Sequence, residues 1–331
     1  MDFKELLNSS EYDFLRENER LGRRIILLGV SGSYGYGTER EGSDVDLRGV
    51  TLNMPSDLIG LTSFEQFEDR NTDTVIYSFN KFIRLLLDAN PNIIEILGLD
   101  DYLILTEPGK ILLENKELFL TRWAASSFSN YAKAQLRRLQ NAIARDSLPE
   151  RTRQAHILES VNRSIENINR TDHDPRRNVK VYLDEDEPEL FIDALFEHYP
   201  LRKFNELANT MHSVVRDYDK TGHRNHKKDD DHLNKHAMHL VRLLMTGTEI
   251  LEKGVIRTRR NEEELVLLRK IRNGDYMKDS VLVPEFFEIV SDCEERFAQA
   301  EKNTCLPDSP DMARVNFLVE EVNRRVILED S

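Results

Sequence analysis

The chain of 331 residues is long enough for about two domains. Its 39% hydrophobic and 32% charged residues are typical of a soluble protein, and its net charge of −14 argues against one that coats nucleic acid, although a local basic surface stays open. No apolar run approaches the ~20 residues that span a bilayer, the N-terminus lacks an apolar signal core, and two cysteines are too few for a disulfide framework. These features predict a cytoplasmic protein with no membrane partner.

The first third of the chain predicts a small α+β region. Residues 2–20 are typical of a short polar helix, and the aliphatic run 24–28, which ends at a glycine, predicts a buried strand. Residues 44–50 and 73–77 predict two further strands.

Two helices are predicted around Asn90-Pro91. A residue that precedes a proline is pushed out of the helical region, so the first helix should end near Ala89. Pro91 should lie in the first turn of the next helix, with Asn90 as its cap.

Beyond Trp123 the sequence predicts mainly helices, because apolar residues recur at steps of three and four. The only strand-like segment there is 179–183, and the acidic run 184–189 is interpreted as a solvated loop. We therefore predict an α+β fold with a boundary near residue 120: a small mixed-sheet domain over residues 1–120, followed by a mainly helical domain over residues 121–331.

A glycine-rich segment, GVSGSYGYG, follows the first predicted strand at residues 29–37. Its spacing does not fit the G-x-G-x-x-G of dinucleotide-binding folds, and Thr38 stands where a P-loop requires lysine. The backbone N–H groups and the hydroxyl of Gly32-Ser33 are nonetheless suited to hold phosphates. The segment therefore predicts a phosphate-binding loop of another type.

Two aspartates, Asp44 and Asp46, follow the Gly-Ser pair after ten residues and lie in a predicted strand. Side chains two residues apart share a face of a strand, so these carboxylates and Arg48 are expected to point one way, with Val45 and Leu47 turned into a core. Mg²⁺ commonly binds one or two carboxylates together with substrate phosphates. The pattern predicts a magnesium site beside the phosphate loop.

A Gly-Ser pair, a ten-residue spacer and an Asp-x-Asp that alternates with hydrophobic residues resemble the signature of the DNA polymerase β-type nucleotidyltransferase superfamily. The segments GSYGYGTEREGSDVDLRGV, NPNIIEIL, GHRNHKKDDDHLNKHAMHLVRLL and IRNGDY further resemble its RNA-repair branch, the RNA-ligase-associated polymerase β-like group. The superfamily resemblance covers residues 20–100 and departs from the pattern at Ser31, where a hydrophobic residue is usual.

The resemblance implies a polymerase β-like palm and nucleotidyl transfer from a nucleoside triphosphate (NTP). It implies two Mg²⁺ or Mn²⁺ ions held by Asp44, Asp46 and a third carboxylate from a neighbouring strand. Asp73 matches the third position, and Glu68 and Asp69 are weaker alternatives because a polar break separates them from the predicted strand.

A second cluster lies in a predicted helix near the middle of the chain's second half. Lys235, His239 and Arg242 follow at steps of four and three, which places them on one helical face. The resemblance implies that this face binds a triphosphate or an RNA backbone. The expected nucleotide- and phosphate-binding residues are Gly32, Ser33, Arg48, Lys235, His239 and Arg242.

Two other interpretations of this helix stay open. In the first, its cations face water and Leu240, Leu243 and Leu244 belong to the core. In the second, His232, His236 and His239 bind zinc, although no glutamate is placed as it is in H-E-x-x-H.

The favoured function is transfer of a nucleoside monophosphate to an RNA or tRNA 3′ end, in RNA repair or tailing, with release of pyrophosphate. The same chemistry on a protein side chain, as in AMPylation, or on a small molecule stays open. So does a non-catalytic nucleotide- or RNA-binding protein of the same fold, against which the paired carboxylates argue. Fold alone does not fix the substrate, and the sequence predicts no oligomeric state.

Overall fold

The computed structural model describes residues 3–147, 177–183, 190–212 apart from 198, 206 and 210, 230–278 and 281–329. Packing divides the chain into two compact units, one formed by Met1–Arg138 with Asp230–Ser331 and the other by Leu139–Asp229. The first unit therefore contains both the main sheet and the C-terminal helices. The domain boundary near residue 120 stays a prediction.

The main sheet has five strands, which are β1 (Ile25–Val30), β2 (Leu47–Thr51), β3 (Gln66–Asp69), β4 (Thr74–Ser78) and β5 (Tyr102–Leu105). Their order in the sheet is β3-β4-β2-β1-β5. The β2–β4 pair is parallel and the other three pairs are antiparallel. The expected α+β fold with a mixed sheet is confirmed.

The described helices are α1 (Phe3–Leu7), α2 (Phe14–Glu17), α3 (Gly32–Tyr36), α4 (Pro55–Leu58), α5 (Phe79–Leu87), α6 (Pro91–Ile94), α7 (Glu107–Glu114), α8 (Trp123–Ser147), α9 (Asp230–Lys253), α10 (Glu262–Asn273), α11 (Pro284–Asn303) and α12 (Met312–Glu329). The described ranges also contain two hairpins: β6 (Arg177–Leu183) with β7 (Leu190–Phe196), and β8 (Met277–Lys278) with β9 (Val281–Leu282). None of the helices in these ranges has the apolar length that crossing a bilayer requires.

The core lies on the sheet because its central strands carry aliphatic side chains. All six residues of β1 are buried, and Leu47, Val50 and Ile76 of β2 and β4 are fully shielded from solvent. Helix α5 buries Phe79, Phe82, Ile83 and Leu86, a spacing of three and four that forms one apolar face. Burial of these side chains supplies the main driving force for this unit.

The predicted break at Asn90-Pro91 is confirmed. Helix α5 ends at Leu87, and α6 begins at Pro91. The side chain of Asn90 accepts a hydrogen bond from the backbone N–H of Asn92 at 3.1 Å, which caps α6.

Several sequence predictions were wrong. Residues 2–20 do not form one helix but α1 and α2, which are separated by a short 3₁₀ turn at Ser10–Tyr12 that buries Tyr12. Strand β2 begins at Leu47 rather than at Asp44, because its pairing with β1 and β4 starts there. Strands β3, β5, β7, β8 and β9 were not predicted, and the acidic run 184–189 lies outside the described residues.

A buried ion pair joins α9 to the segment before α10. Arg260 Nη1 donates to Glu249 Oε2 at 3.0 Å, and both residues are at most 6% exposed. Arg257 also contacts this carboxylate, but its own side chain is 48% exposed. The pair fixes one end of the helix whose other end carries Lys235 and His239.

We expect Arg260→Ala to lower the free energy of unfolding by about 3 kcal/mol, because it leaves a buried carboxylate without its closest enclosed partner. Arg257→Ala is the matched control and should cost about 1 kcal/mol or less. Urea denaturation followed by circular dichroism measures both values. Equal losses for the two variants would contradict a specific role for the buried pair.

Candidate active site

The turn after β1 brings the glycine-rich segment against an aspartate. The Ser31 N–H donates to the backbone carbonyl of Asp46 at 2.8 Å, and Gly32 has a φ of +58°. A Cβ on Gly32 would lie 1.7 Å from Asp46 Oδ2, far closer than any non-bonded contact. Glycine is therefore required here so that a carboxylate can lie against the backbone.

The three predicted carboxylates lie around one cavity. Asp46 and Asp73 immediately precede the parallel neighbours β2 and β4, whose register pairs Leu47 with Thr74. The two aspartates therefore lie side by side at the N-terminal ends of these two strands, where the Leu47 N–H donates to the Asp73 carbonyl at 3.2 Å. Asp44 precedes β2 as well and lines the same cavity.

Arg48 holds two of these carboxylates. Its Nη2 lies 2.9 Å from Asp73 Oδ1 and 3.5 Å from Asp46 Oδ1. Its Nη1 donates to the backbone carbonyl of Asp73 at 2.5 Å. Asp73 itself has a φ of +43°, in the left-handed region that few residues other than glycine adopt. The guanidinium thus binds both polar groups of a strained residue.

The carboxylates of Asp46 and Asp73 both contact Arg48 and influence each other's pKa. Burial, followed by hydrogen bonding and repulsion with Asp73, raises the pKa of Asp46 to about 6. Burial also acts to raise the pKa of Asp73, but hydrogen bonds from Asp46 and Arg48 outweigh it, so this pKa is lowered. The positive charge of Lys235 on α9 lowers both pKa values.

Helix α9 also lines the cavity. Lys235 is exposed and His239 is half-buried, whereas Arg242 is only 8% exposed. The Arg242 guanidinium lies 3.8 Å from the ring centre of Tyr36 and 3.8 Å from Glu95 Oε2. Arg242 therefore joins α9 to the glycine-rich turn by a cation–π contact and an ion pair.

All nine site residues predicted from the sequence line this cavity of about 770 Å³. They are Gly32, Ser33, Asp44, Asp46, Arg48, Asp73, Lys235, His239 and Arg242. Glu68 and Asp69, the alternatives for the third carboxylate, are not among the described residues that line it. Asp69 is instead hydrogen-bonded to Thr72 at 2.8 Å.

The sequence did not predict a group of charged residues at the rim. Asp231 accepts from Arg40 Nη1 at 2.7 Å and from Arg272 Nη2 at 2.8 Å, and Arg40 also contacts Asn273 Oδ1 at 2.8 Å. These contacts tie the loop that carries Asp44 to α9 and α10. Arg272 lies in the IRNGDY segment, which is part of the family resemblance. No sequence pattern around Arg40 indicated that it belongs to the site.

Within the described ranges, no three histidine, cysteine, aspartate or glutamate side chains lie close enough together to bind a metal ion as a group. This holds for the predicted set Asp44, Asp46 and Asp73 and for His232, His236 and His239, while His223 and His226 lie outside those ranges. The pair Asp46 and Asp73, already bridged by a cationic group, is nevertheless an oxygen donor set that fits a divalent cation.

We expect Gly32→Ala to destabilise the protein by about 1–3 kcal/mol more than Gly42→Ala. Both glycines have positive φ, but a Cβ on Gly42 would meet no atom within 4 Å. The difference therefore isolates the clash with Asp46 from backbone strain. Chemical denaturation of both variants gives this difference, and adding Asp46→Ala to Gly32→Ala should recover part of the loss. Equal costs at the two glycines would contradict the close approach.

We expect Asp46→Asn to raise the melting temperature of the protein in EDTA above pH 6. Because the folded pKa of Asp46 exceeds its ordinary value of 3.8, the folded state binds more protons than the unfolded state between these values, so stability falls as pH rises through this window. The gain should shrink as pH falls and vanish below about pH 4.

Asp231→Asn is the control of opposite sign. Hydrogen bonding to Arg272, then the charges of Arg272 and Arg40, lower the pKa of Asp231 against a smaller effect of burial. Its removal should therefore lower the melting temperature at neutral pH, and this loss should shrink in acid. Melting curves from pH 4 to 8 measure both, and an Asp46→Asn variant that loses stability at neutral pH contradicts the pairing.

Comparison with known proteins agrees with this geometry. Residues 8–158 match the RNA repair pathway DNA polymerase beta family, and the matched region contains the glycine-rich turn, the three aspartates and Arg48. The comparison with curated proteins gave no match, and neither did the comparison with solved structures. The resemblance is thus confirmed over residues 8–158, which are similar to a polymerase β-type family of RNA repair.

Proposed function

We propose that this protein transfers a nucleoside monophosphate from an NTP to the 3′-hydroxyl of an RNA or tRNA and releases pyrophosphate. The observation that carries the proposal is the position of Asp46 and Asp73, which both contact Arg48 beside Gly32, in a cavity that Lys235 and His239 also line. Acidic groups for the reacting centre and cationic and polar groups for a triphosphate thus line one cavity.

Asp44, Asp46 and Asp73 would hold the divalent cations, Mg²⁺ or Mn²⁺. Their oxygens are the ligands that these ions prefer, and the room that Gly32 leaves for Asp46 suits a carboxylate that must approach other groups closely. When bound, two such ions would neutralise the triphosphate and lower the pKa of the attacking hydroxyl. This donor set supports metal dependence.

The remaining steps belong to the chain's own groups. The backbone N–H groups and hydroxyl of Gly32-Ser33 bind the triphosphate, Lys235 balances the charge that develops on pyrophosphate, and His239 contacts the same group. The 3′-oxygen forms a bond to the α-phosphorus while the bond from that phosphorus to the bridging oxygen breaks. Asp73, whose lowered pKa keeps it ionised, accepts the hydroxyl proton.

The RNA acceptor is supported by the RNA-repair character of the matched family. The cavity volume of about 770 Å³ leaves room for a nucleotide and the 3′ end of an RNA acceptor. A protein or small-molecule acceptor would use the same chemistry, so the acceptor has to be tested directly.

The decisive assay incubates the protein and Mg²⁺ with each α-labelled NTP, a short 3′-hydroxyl RNA and total tRNA. We expect label in RNA, none in the same RNA bearing a 3′-phosphate, and a loss of about a thousandfold or more in Asp73→Asn, because that variant lacks a group at the reacting centre. Glu68→Gln is the matched control, since it removes an exposed carboxylate on the adjacent strand β3 and should retain activity.

Each outcome separates the candidate functions. Label in the protein itself, or in a small acceptor, would replace the RNA proposal with nucleotidylation of that acceptor. Label in none of them, together with NTP binding that Asp46→Asn and Asp73→Asn leave unchanged, would favour a binding protein of this fold.

A further inference from the structure

Arg48 was predicted from the sequence to bind phosphate, but the two terminal nitrogens of its guanidinium, the fork, already contact other groups of the protein. The Nη2 atom contacts Asp73 Oδ1 and Asp46 Oδ1, and Nη1 donates to the carbonyl groups of Asp73 and Leu47. The side chain is 23% exposed, so these contacts lie partly out of water. A phosphate would have to compete with two carboxylates for the same guanidinium.

The contacts to Asp73 fix more than its charge. A left-handed backbone costs an aspartate roughly 1 kcal/mol or more, so the surroundings must hold it there. Arg48 binds the Asp73 carbonyl and carboxylate at once, and the Leu47 N–H supplies a further donor to the carbonyl. The planar guanidinium can satisfy two acceptors in this fixed geometry, which a lysine ammonium cannot reproduce.

Because Arg48 contacts Asp46 as well as Asp73, it competes with metal cations for these carboxylates. Two neighbouring carboxylates repel each other when both are ionised. A positive group that bridges them relieves this repulsion, as a divalent cation would. Any cation that binds the pair must therefore share it with Arg48 or displace the guanidinium.

We infer that Arg48 is a positioning residue that holds Asp73 and Asp46 together and is displaced by, or shares them with, the divalent cation. This inference deepens the proposed function and rests on it for the catalytic part. It predicts that the charge and the fork of Arg48 have separable effects. The charge opposes metal binding, and the fork orients Asp73 for the reaction.

The test measures Mn²⁺ affinity by electron paramagnetic resonance without nucleotide, and kcat and KM for the NTP with RNA. Arg48→Gln should bind Mn²⁺ about tenfold more tightly, because a nearby positive charge is removed. Arg48→Lys keeps the charge and should bind Mn²⁺ within about twofold of the unaltered protein. Both variants should lower kcat and leave KM for the NTP nearly unchanged.

Arg70→Gln is the matched control, since Arg70 follows β3, pairs with Glu68 and has a side chain that is 89% exposed. It should change neither affinity nor rate. An Arg48→Gln variant that binds Mn²⁺ no more tightly, or that raises KM with kcat unchanged, would overturn the inference and restore the phosphate-binding role.

The two readouts keep the inference separate from the proposed function. If no acceptor is nucleotidylated, the Mn²⁺ titrations still decide the cation competition, because they need no substrate. If Arg48→Gln does not fold, Arg48→Lys decides: lower kcat with unchanged KM and Mn²⁺ affinity supports a role of the fork, and unchanged kcat overturns it.

Discussion

The pairing of Asp46 with Asp73 is the constraint on which the site depends. Two carboxylates that lie side by side at the ends of neighbouring strands repel each other when ionised, and burial makes the ionised forms still less favourable. The structure accommodates them by three means: a glycine that leaves room for Asp46, a parallel strand register that brings the residues together, and Arg48, which bridges them. A site that tolerates this repulsion is suited to bind cations.

The C-terminal helices brace this centre rather than merely cover it. Arg242 stacks on Tyr36 in the glycine-rich turn, and Arg269 donates to the carbonyl of Gly37 at 2.8 Å. Asp231 joins α9 to the loop before β2 through Arg40. The sheet and these helices thus form one compact unit, and the same helix that braces the turn presents Lys235 and His239 to the cavity.

Local patterns predicted the central part of the fold and of the site. The spacing between the Gly-Ser pair and Asp44-Val45-Asp46 is a local signature, and the proline rule located the break at Asn90. Strands β3 and β5 were not predicted because each has only four residues and is an outer strand of the sheet. Outer strands are only partly buried, so their sequences show little alternation of apolar and polar residues. Short edge strands owe their formation to pairing, which sequence periodicity does not reveal.

Contacts between distant parts of the chain could not be predicted. Arg48 and Arg242 were predicted to bind phosphate, and that role stays a prediction. The sequence did not show that the guanidinium of Arg48 contacts Asp73, or that Arg242 lies on Tyr36 and beside Glu95. In each case the partner is chosen by tertiary packing, which overrides what neighbours in sequence indicate.

The most direct test of the central claim is to locate a cation in crystals of the full chain. Crystals grown with Mn²⁺ and a non-hydrolysable NTP should show an anomalous scattering peak ligated by Asp46 and Asp73, with the triphosphate between this peak and α9. A peak among the histidines of α9 instead, with none at the aspartates, would contradict the account of this cavity as a cation-dependent nucleotidyl transfer site.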